Sequence, residues 1–203
     1  MNALIFSGGE FSLPEDFNIK EYDLFVAADS GYLSAIDAGI TPDIFVGDFD
    51  SVEKDEISAN EIIRLYPVKD MTDTQEALDI AISKGAKKIT ILGALGGRID
   101  HTLANIHLLK YAKEKGVIAE IIDADSYITI VDSKLKIKKR EGFCLSLIPL
   151  TDCTGVCASG VFYTLENASL PVGNPYGISN EFTDDTAKIT VASGDLLIIL
   201  CKS

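Results

Sequence analysis

The sequence predicts an α/β protein in which an N-terminal parallel-sheet domain is followed by a smaller, antiparallel β-sandwich-like domain. From residue 1 to about residue 126, short β-branched runs alternate with stretches of helical period. Several of these runs are continuously apolar, which is typical of strands covered by helices on both faces. After residue 126 the helical period disappears, and Gly, Pro, Asn and Asp separate strand-like runs. We therefore predict two domains, residues 1–126 and 127–203.

The first domain is predicted to hold short apolar strands and two helices. The predicted strands are Leu4–Phe6, Leu24–Ala28, Ile44–Val46, Ile62–Tyr66, Ile89–Leu92 and Val117–Ile122. The helices are Thr72–Lys84 and Ile99–Lys115. In the second helix, Leu103, Ile106 and Leu109 recur at helical spacing, so we expect them to face the core.

The second domain is predicted to consist of strands alone. They are Tyr127–Val131, Leu135–Ile137, Phe143–Ile148, Val161–Thr164, Ala187–Val191 and Leu196–Leu200. Lysines alternate with apolar residues in the basic run Lys134–Arg140, which indicates a strand with one solvent-exposed face. The cysteines form no Cys-x-x-Cys pair, and we expect buried, reduced thiols in strands. They are Cys144, Cys153, Cys157 and Cys201.

Charge and hydropathy exclude several classes of partner. Asp and Glu number 31 against 18 Lys and Arg, which gives a net charge of −13. Such a surface repels a phosphate backbone, so we expect no nucleic-acid partner. The longest apolar run, Leu196–Cys201, is far shorter than the roughly 20 residues that span a bilayer, so we expect no membrane partner. The first residues lack the features of a secretion signal, and we expect a cytoplasmic protein.

Acidic residues follow the predicted parallel strands, where the crevice of an open α/β sheet binds ligands. Carboxylates crowded at one edge repel one another and usually indicate a bound cation. These residues are Asp29, Asp48, Asp50, Asp70, Asp73 and Asp100. In Asp48-Phe49-Asp50 two carboxylates lie one residue apart, and such oxygen ligands favour Mg²⁺, although a polar turn has the same pattern. Asp73 also fits a second role, because Thr72 and Gln75 form a capping box at a helix start.

Gly96-Gly97-Arg98 leads directly into the second predicted helix. Free N–H groups at a helix N-terminus bind anions, and an arginine side chain can fork onto phosphate oxygens. The usual nucleotide-binding glycine motifs are missing, so a nucleotide would depend on metal, arginine and helix ends. His101 and His107 have no neighbouring nucleophile motif, and we expect them to pack or to form hydrogen bonds.

The motifs together resemble those of the thiamine pyrophosphokinase family. In chain order they are Gly47-Asp48-Phe49-Asp50-Ser51, Lys69-Asp70-Met71-Thr72-Asp73-Thr74, Gly96-Gly97-Arg98-Ile99-Asp100-His101 with Asn105, Gly177-Ile178-Ser179-Asn180-Glu181-Phe182 and Val191-Ala192-Ser193-Gly194-Asp195. The resemblance spans nearly the whole chain. It implies transfer of a pyrophosphoryl group from ATP to thiamine, which gives thiamine diphosphate and AMP.

The resemblance also implies roles for individual residues and a homodimer with active sites at the subunit interface. Asp48, Asp50 and Asp73 would hold Mg²⁺, with Asp29 and Asp100 lining the same site. Ser179 and Asn180 would contribute to the thiamine pocket, from the partner subunit.

The substrate phosphates need their own contacts, since phosphoryl transfer depends on positioning and electrostatics. We expect Asp29, Thr72, Gly97 and Arg98 at the nucleotide, while Asp100 is a candidate to orient or deprotonate the attacking hydroxyl.

Two other functions are compatible with parts of the sequence. A phosphatase of the haloacid dehalogenase type would use Asp48 as its covalent nucleophile. That reading does not explain why the motif follows the third predicted strand or why a β domain closes the chain. A non-catalytic nucleotide or metal sensor would bind without turnover, and no motif specifically favours it.

Overall fold

The computed structural model describes residues 1–49, 51–52, 57–65, 71–174 and 176–203. The chain forms two compact units, Met1–Ala124 and Asp125–Ser203. Within the residues described, no helix is both long enough and apolar enough to cross a membrane.

The first unit contains six parallel strands in the order β4-β3-β2-β1-β5-β6. The strands are β1 (Asn2–Phe6), β2 (Leu24–Ala28), β3 (Ile44–Gly47), β4 (Glu61–Arg64), β5 (Lys88–Leu92) and β6 (Ile118–Ile122). Each matches a predicted strand, although Tyr66 lies outside the described residues. Phe6 pairs with Ala27 and with Leu92, so β1, β2 and β5 end at the same edge of the sheet. The loops that follow them therefore meet at that edge.

Helices α1 (Gly31–Asp37), α2 (Asp73–Ser83) and α3 (Ile99–Glu114) belong to this unit, together with a 3₁₀ turn, Ile19–Glu21. The two long helices were predicted. The N-cap of α2 is confirmed, since the Gln75 N–H donates to Thr72 Oγ1 at 3.2 Å. Helix α1 was missed because it is short and starts at a glycine.

The buried face of α3 differs from the prediction. The helix buries Asn105, Leu108, Leu109 and Ala112, whereas Leu103 is 52% exposed. Asn105 Nδ2 donates to the Ala94 carbonyl at 2.8 Å, and this buried hydrogen bond fixes which side of the helix faces the sheet. The expectation that Leu103 faces the core was therefore wrong.

The second unit has two antiparallel sheets. Its strands are β7 (Ser126–Val131), β8 (Lys134–Lys138), β9 (Phe143–Pro149), β10 (Cys153–Ser159), β11 (Leu165–Leu170), β12 (Thr186–Thr190) and β13 (Leu196–Lys202). Strand β13 pairs with both β7 and β9, and the other four strands form a sheet in the order β11-β10-β12-β8. Val156 and Ile189 from one sheet share a core cluster with Leu145 and Ile198 from the other. This packing confirms the sandwich-like β domain.

Two predictions for this unit were wrong. Val161–Thr164 is not a strand: Val161 forms only an isolated bridge with Phe182, and the next two residues are exposed. The chain turns at Gly160, whose φ of +76° favours glycine. The four cysteines, all in the described part of the chain, form no disulfide bond and lie in strands, but only one is buried. Cys157 is exposed because its neighbours on β10, Val156 and Ala158, point into the core.

Strand β8 behaves as predicted from its alternating sequence. Its Ile137 is buried, while Lys134, Lys136 and Lys138 are exposed. β8 is also the last strand of its sheet. Lysines on an edge strand discourage pairing with other chains, so the basic run has a structural explanation.

Candidate active site

A cavity of about 530 Å³ opens at the carboxyl ends of the parallel strands in the first unit. Its walls come from the loops after β1, β2 and β5 and from the starts of α2 and α3. The lining residues that the sequence analysis had selected are Asp29, Thr72, Asp73, Gly97 and Arg98. This position agrees with the general rule for ligand sites in open α/β sheets.

Two glycine-containing loops form one wall of the cavity. The Ser7 N–H donates to the Leu92 carbonyl at 2.8 Å, and the Gly9 N–H donates to the Gly93 carbonyl at 2.7 Å. A Cβ on Gly9 would lie 2.5 Å from both the Gly93 and the Leu95 carbonyl oxygens. The loops after β1 and β5 therefore pack main chain against main chain, which only glycine permits at this position.

Asp29 connects the ends of β2 and β3. Its N–H donates to the Val46 carbonyl at 2.8 Å, and its Oδ2 accepts from Ser51 Oγ at 2.9 Å. Asp48 follows β3 directly, and the next residue, Phe49, has a φ of 68°. The chain thus bends sharply at the acidic motif and returns to Asp29. Asp50, the second acid of that motif, lies outside the described residues.

Asp73 is the first residue of α2, and its position is fixed from both sides. Thr72 caps the helix, and the next residue, Thr74, shares a buried 2.6 Å hydrogen bond with Ser7 Oγ on the loop after β1. Both threonines line the cavity with Asp73. The helix start is therefore joined to the loop after β1 at Thr74, the residue next to the Asp73 carboxylate.

Arg98 immediately precedes α3 and forms a two-pronged ion pair with Asp100. Its Nε donates to Oδ1 at 3.1 Å, and a terminal guanidinium nitrogen donates to Oδ2 at 2.6 Å. The side chains are 73% and 61% exposed. The hydrogen bond from Arg98 lowers the pKa of Asp100 to about 2, and the same contact raises the pKa of Arg98.

Three residues at or beside the cavity were given no substrate-binding role from the sequence, namely Glu10, His101 and Asn105. Glu10 Oε1 accepts from the Gly97 N–H at 3.2 Å and so holds the loop before α3, but an isolated glutamate after a glycine turn gives no sequence signal. His101 lines the cavity and is exposed, as is His107, so neither packs in the core, and the alternative that they form hydrogen bonds stays a prediction. Asn105, buried on α3, also contributes to the wall.

The donor chemistry of this edge suits a hard cation such as Mg²⁺, since the acidic side chains offer oxygen ligands. Asp29 and Asp73 line the cavity; Asp29 follows β2, and Asp48 follows the neighbouring strand β3. Among the described residues, which exclude Asp50, no group of three His, Cys, Asp or Glu side chains is placed to hold a metal. The predicted set of Asp48, Asp50 and Asp73 stays a prediction.

A second cavity, of about 450 Å³, lies in the second unit. Its lining residues are Leu147, Phe162, Tyr163, Thr164, Leu165, Tyr176, Gly177, Ile178 and Asn180. Asn180 had been selected from the sequence, whereas the aromatic residues had not, because Phe162 and Tyr163 were placed in a strand. Ser179 is not part of the lining; its N–H donates to Ser146 Oγ at 3.0 Å.

Two family models match the chain, one in each unit. Residues 18–121 match the catalytic domain of thiamin pyrophosphokinase. Residues 132–196 match the vitamin B1 binding domain of the same family.

Individual relatives agree along the full length. Thiamine pyrophosphokinase from Bacillus subtilis (strain 168) is 33% identical over 205 residues, with 96% of each chain covered. The crystal structure of thiamine pyrophosphokinase from Bacillus subtilis aligns with a TM-score of 0.88 at 29% identity, covering all of both chains. A thiamin pyrophosphokinase family protein from Enterococcus faecalis gives the same TM-score, identity and coverage. The chain therefore belongs to the thiamine pyrophosphokinase family.

Proposed function

We propose that this protein is a thiamine pyrophosphokinase that transfers a pyrophosphoryl group from ATP to the hydroxyl of thiamine, releasing AMP. The observation that carries the proposal is the first-unit cavity, where Asp29, Asp73 and Arg98 converge within the region that matches the family's catalytic domain. No comparison supports the phosphatase or the sensor. ATP is available in the cytoplasm, so we expect the reaction to occur there.

We assign Asp48, Asp50 and Asp73 to Mg²⁺. When bound, Mg²⁺ neutralises phosphate charge in this acidic crevice. The protein's contribution is to hold the carboxylates in place. Thr72 and Thr74 fix Asp73 at the start of α2, and the Ser51 contact with Asp29 fixes the end of the Asp48 loop. This pre-organisation avoids the cost of ordering the ligands when substrate binds.

We assign the ATP phosphates to the loop that enters α3. Gly97 has open space around its α-carbon, and the N-terminus of a 16-residue helix follows it. The helix dipole and exposed N–H groups at such an end attract anions. Arg98 adds a positive charge that is largely exposed to solvent. In this scheme Arg98 exchanges its contact with Asp100 for a phosphate oxygen.

The movement of Arg98 from Asp100 to a phosphate oxygen frees Asp100 to contact the second substrate. While paired with Arg98, the carboxylate has a pKa of about 2 and is too weak a base to take a proton from a hydroxyl near neutral pH. Once Arg98 turns to phosphate, Asp100 is released to accept a hydrogen bond from the thiamine hydroxyl. We therefore assign Asp100 to orient the nucleophile.

We assign thiamine to the second-unit cavity, which lies within the region that matches the vitamin B1 binding domain. Phe162, Tyr163 and Tyr176 line it, and aromatic faces attract cations such as the thiazolium ring. Asn180 lines the same cavity, and Ser179 directly precedes Asn180 in the chain. We also propose the homodimer that the family resemblance implies, with active sites at the subunit interface.

The test of the function is a product assay. Purified protein is incubated with ATP, Mg²⁺ and thiamine, and AMP and thiamine diphosphate are quantified together. We expect equal amounts of both, abolished by a chelator and reduced by orders of magnitude in Asp48→Ala. Release of phosphate or ADP without AMP would overturn the proposal in favour of a phosphatase, and binding without turnover would favour the sensor.

A further inference from the structure

Asn180 makes an unusual set of contacts for a residue at the edge of a ligand cavity. Its side chain is buried, with 6% of the residue exposed. Oδ1 accepts from the Tyr163 N–H at 2.9 Å, and Nδ2 donates to the Tyr163 carbonyl at 2.8 Å. The Asn180 main chain is also paired, since its N–H and carbonyl both bond to Leu145 at 2.8 Å. Each polar group of Asn180 thus has a partner within the protein.

The segment that Asn180 holds is the turn Phe162–Tyr163. Val161 forms an isolated bridge with Phe182, and the Phe162 N–H donates to the Glu181 carbonyl at 2.9 Å. Past that point the pairing would stop, but the amide of Asn180 supplies the two hydrogen bonds that a neighbouring strand would give. A side-chain amide can replace a peptide group in this way because it offers the same donor and acceptor.

The turn carries the aromatic wall of the cavity. The rings of Phe162 and Tyr163 meet edge to face, with 4.9 Å between their centroids. The two residues are 65% and 68% exposed, so little packing from the core holds them. The orientation of the wall therefore depends on the main chain of Tyr163, and that main chain is held by Asn180.

We propose that Asn180 is a positioning residue: it supports thiamine binding by fixing the Phe162–Tyr163 turn, and it acts through the ring of Tyr163. This inference rests on the proposed function and assigns to Asn180 a role other than direct contact with the substrate. Because both hydrogen bonds go to the main chain of Tyr163, they persist when the Tyr163 side chain is removed. The contribution of Asn180 can therefore be separated from that of the ring.

A double-mutant cycle tests the proposal. Asn180→Ala, Tyr163→Ala and the double variant are compared with wild type for the KM of thiamine, the KM of ATP and kcat. We expect each single variant to raise the KM of thiamine by about tenfold with little change in the KM of ATP. We expect the double variant to be no worse than Tyr163→Ala. If the increases in the KM of thiamine from the two single variants multiply in the double variant, the proposal is overturned, because Asn180 then acts independently of the ring.

Two further variants separate positioning from loss of folding. Asn180→Asp keeps the acceptor for the Tyr163 N–H but removes the donor, and it replaces Asn180→Ala in the cycle if the alanine variant does not fold. Ser193→Ala removes another side-chain hydrogen bond of the same unit, the 2.8 Å contact with Thr154 Oγ1, and is expected to leave the KM of thiamine unchanged. A comparable rise in this control would show that general destabilisation causes the effect.

A readout without substrate distinguishes failure of this inference from failure of the proposed function. Hydrogen exchange of the Tyr163 amide, measured by NMR, is expected to be at least tenfold faster in Asn180→Ala, because the amide loses its acceptor. If wild type does not convert thiamine, the proposed function fails while this measurement still reports the turn. Unchanged exchange would overturn the positioning role.

Discussion

Arg98 and Asp100 illustrate how two residues in one short motif share a site. From the sequence, Arg98 was expected at phosphate and Asp100 at the hydroxyl, but their mutual ion pair was not foreseen. Side chains two residues apart do not face each other on a regular helix, so spacing gives no signal for the pair. It forms because Arg98 is the N-cap, where the backbone is extended and not yet helical.

The ion pair predicts a pH dependence. The folded pKa of Asp100 is about 2, below its ordinary 3.8, so the pairing stabilises the fold above about pH 3.8 and is lost as the pH falls toward 2. Both side chains are exposed, and we expect the contribution to stability to be small. The measurable quantity is the pKa, from an NMR titration of the Asp100 carboxyl carbon. We expect Arg98→Ala to return it toward 3.8; the same low value in that variant would show that Arg98 is not the cause.

Residue types identified only part of the site. Asp29, Asp73 and Arg98 could be selected because charged groups after parallel strands collect at one edge. Glu10 and Ser7 could not, since their roles depend on contacts with residues more than 60 positions away. The aromatic residues of the second cavity were visible in the sequence, but a β-branched and aromatic run was interpreted as a strand.

At the scale of elements, the strands of the first unit were predictable from the sequence, whereas two strands of the second unit, β10 and β11, were not. Buried parallel strands such as β1 and β5 are continuous apolar runs bounded by turn residues. β10 and β11 were missed because their sequences, Cys153–Ser159 and Leu165–Leu170, are rich in small and polar residues. Such segments become strands because they pair with neighbouring strands, and the local sequence propensity does not reveal that pairing.

The contact between the loops after β1 and β5 gives a prediction about elements. Gly9→Ala would place a Cβ 2.5 Å from two carbonyl oxygens, so the loops must separate. We expect a destabilisation of roughly 1–3 kcal/mol and a higher KM for ATP, measured by denaturant unfolding and by kinetics.

Gly116→Ala is the matched control for Gly9→Ala. Gly116 has nothing within 4 Å of an added Cβ, and its φ is +74°, so only backbone strain is introduced. We expect this variant to lose stability without a change in the KM of ATP. If Gly9→Ala also left the KM unchanged, the loop contact would have no part in nucleotide binding.

At the scale of the molecule, the two units divide the chemistry. The first has the carboxylates and the helix end suited to Mg²⁺ and phosphate, and the second has an aromatic cavity suited to an organic cation. The net charge of −13 makes the protein as a whole repel a nucleotide triphosphate. Local groups such as Arg98 and the N-terminus of α3 must therefore overcome the global field, and we expect moderate salt to weaken that repulsion.

The proposed homodimer makes a prediction that single variants cannot test. If each active site uses residues from both copies, Asp48→Ala and Tyr163→Ala impair different contributions to the same site. After the two variants are mixed and allowed to exchange subunits, half of the dimers are mixed, and each mixed dimer has one intact site out of two. We expect activity to recover to about one quarter of wild type at thiamine concentrations where each variant alone is nearly inactive.

The opposite arrangement predicts no recovery. If each active site is built within a single copy, every site in a mixed dimer keeps one defect, and activity stays at the mean of the two variants. Light scattering of the wild type checks that the protein is a dimer before mixing. A monomer in that measurement would remove the homodimer from the proposal while leaving the chemistry of the first-unit cavity intact, because the Ser7–Thr74 and Arg98–Asp100 contacts lie within one unit.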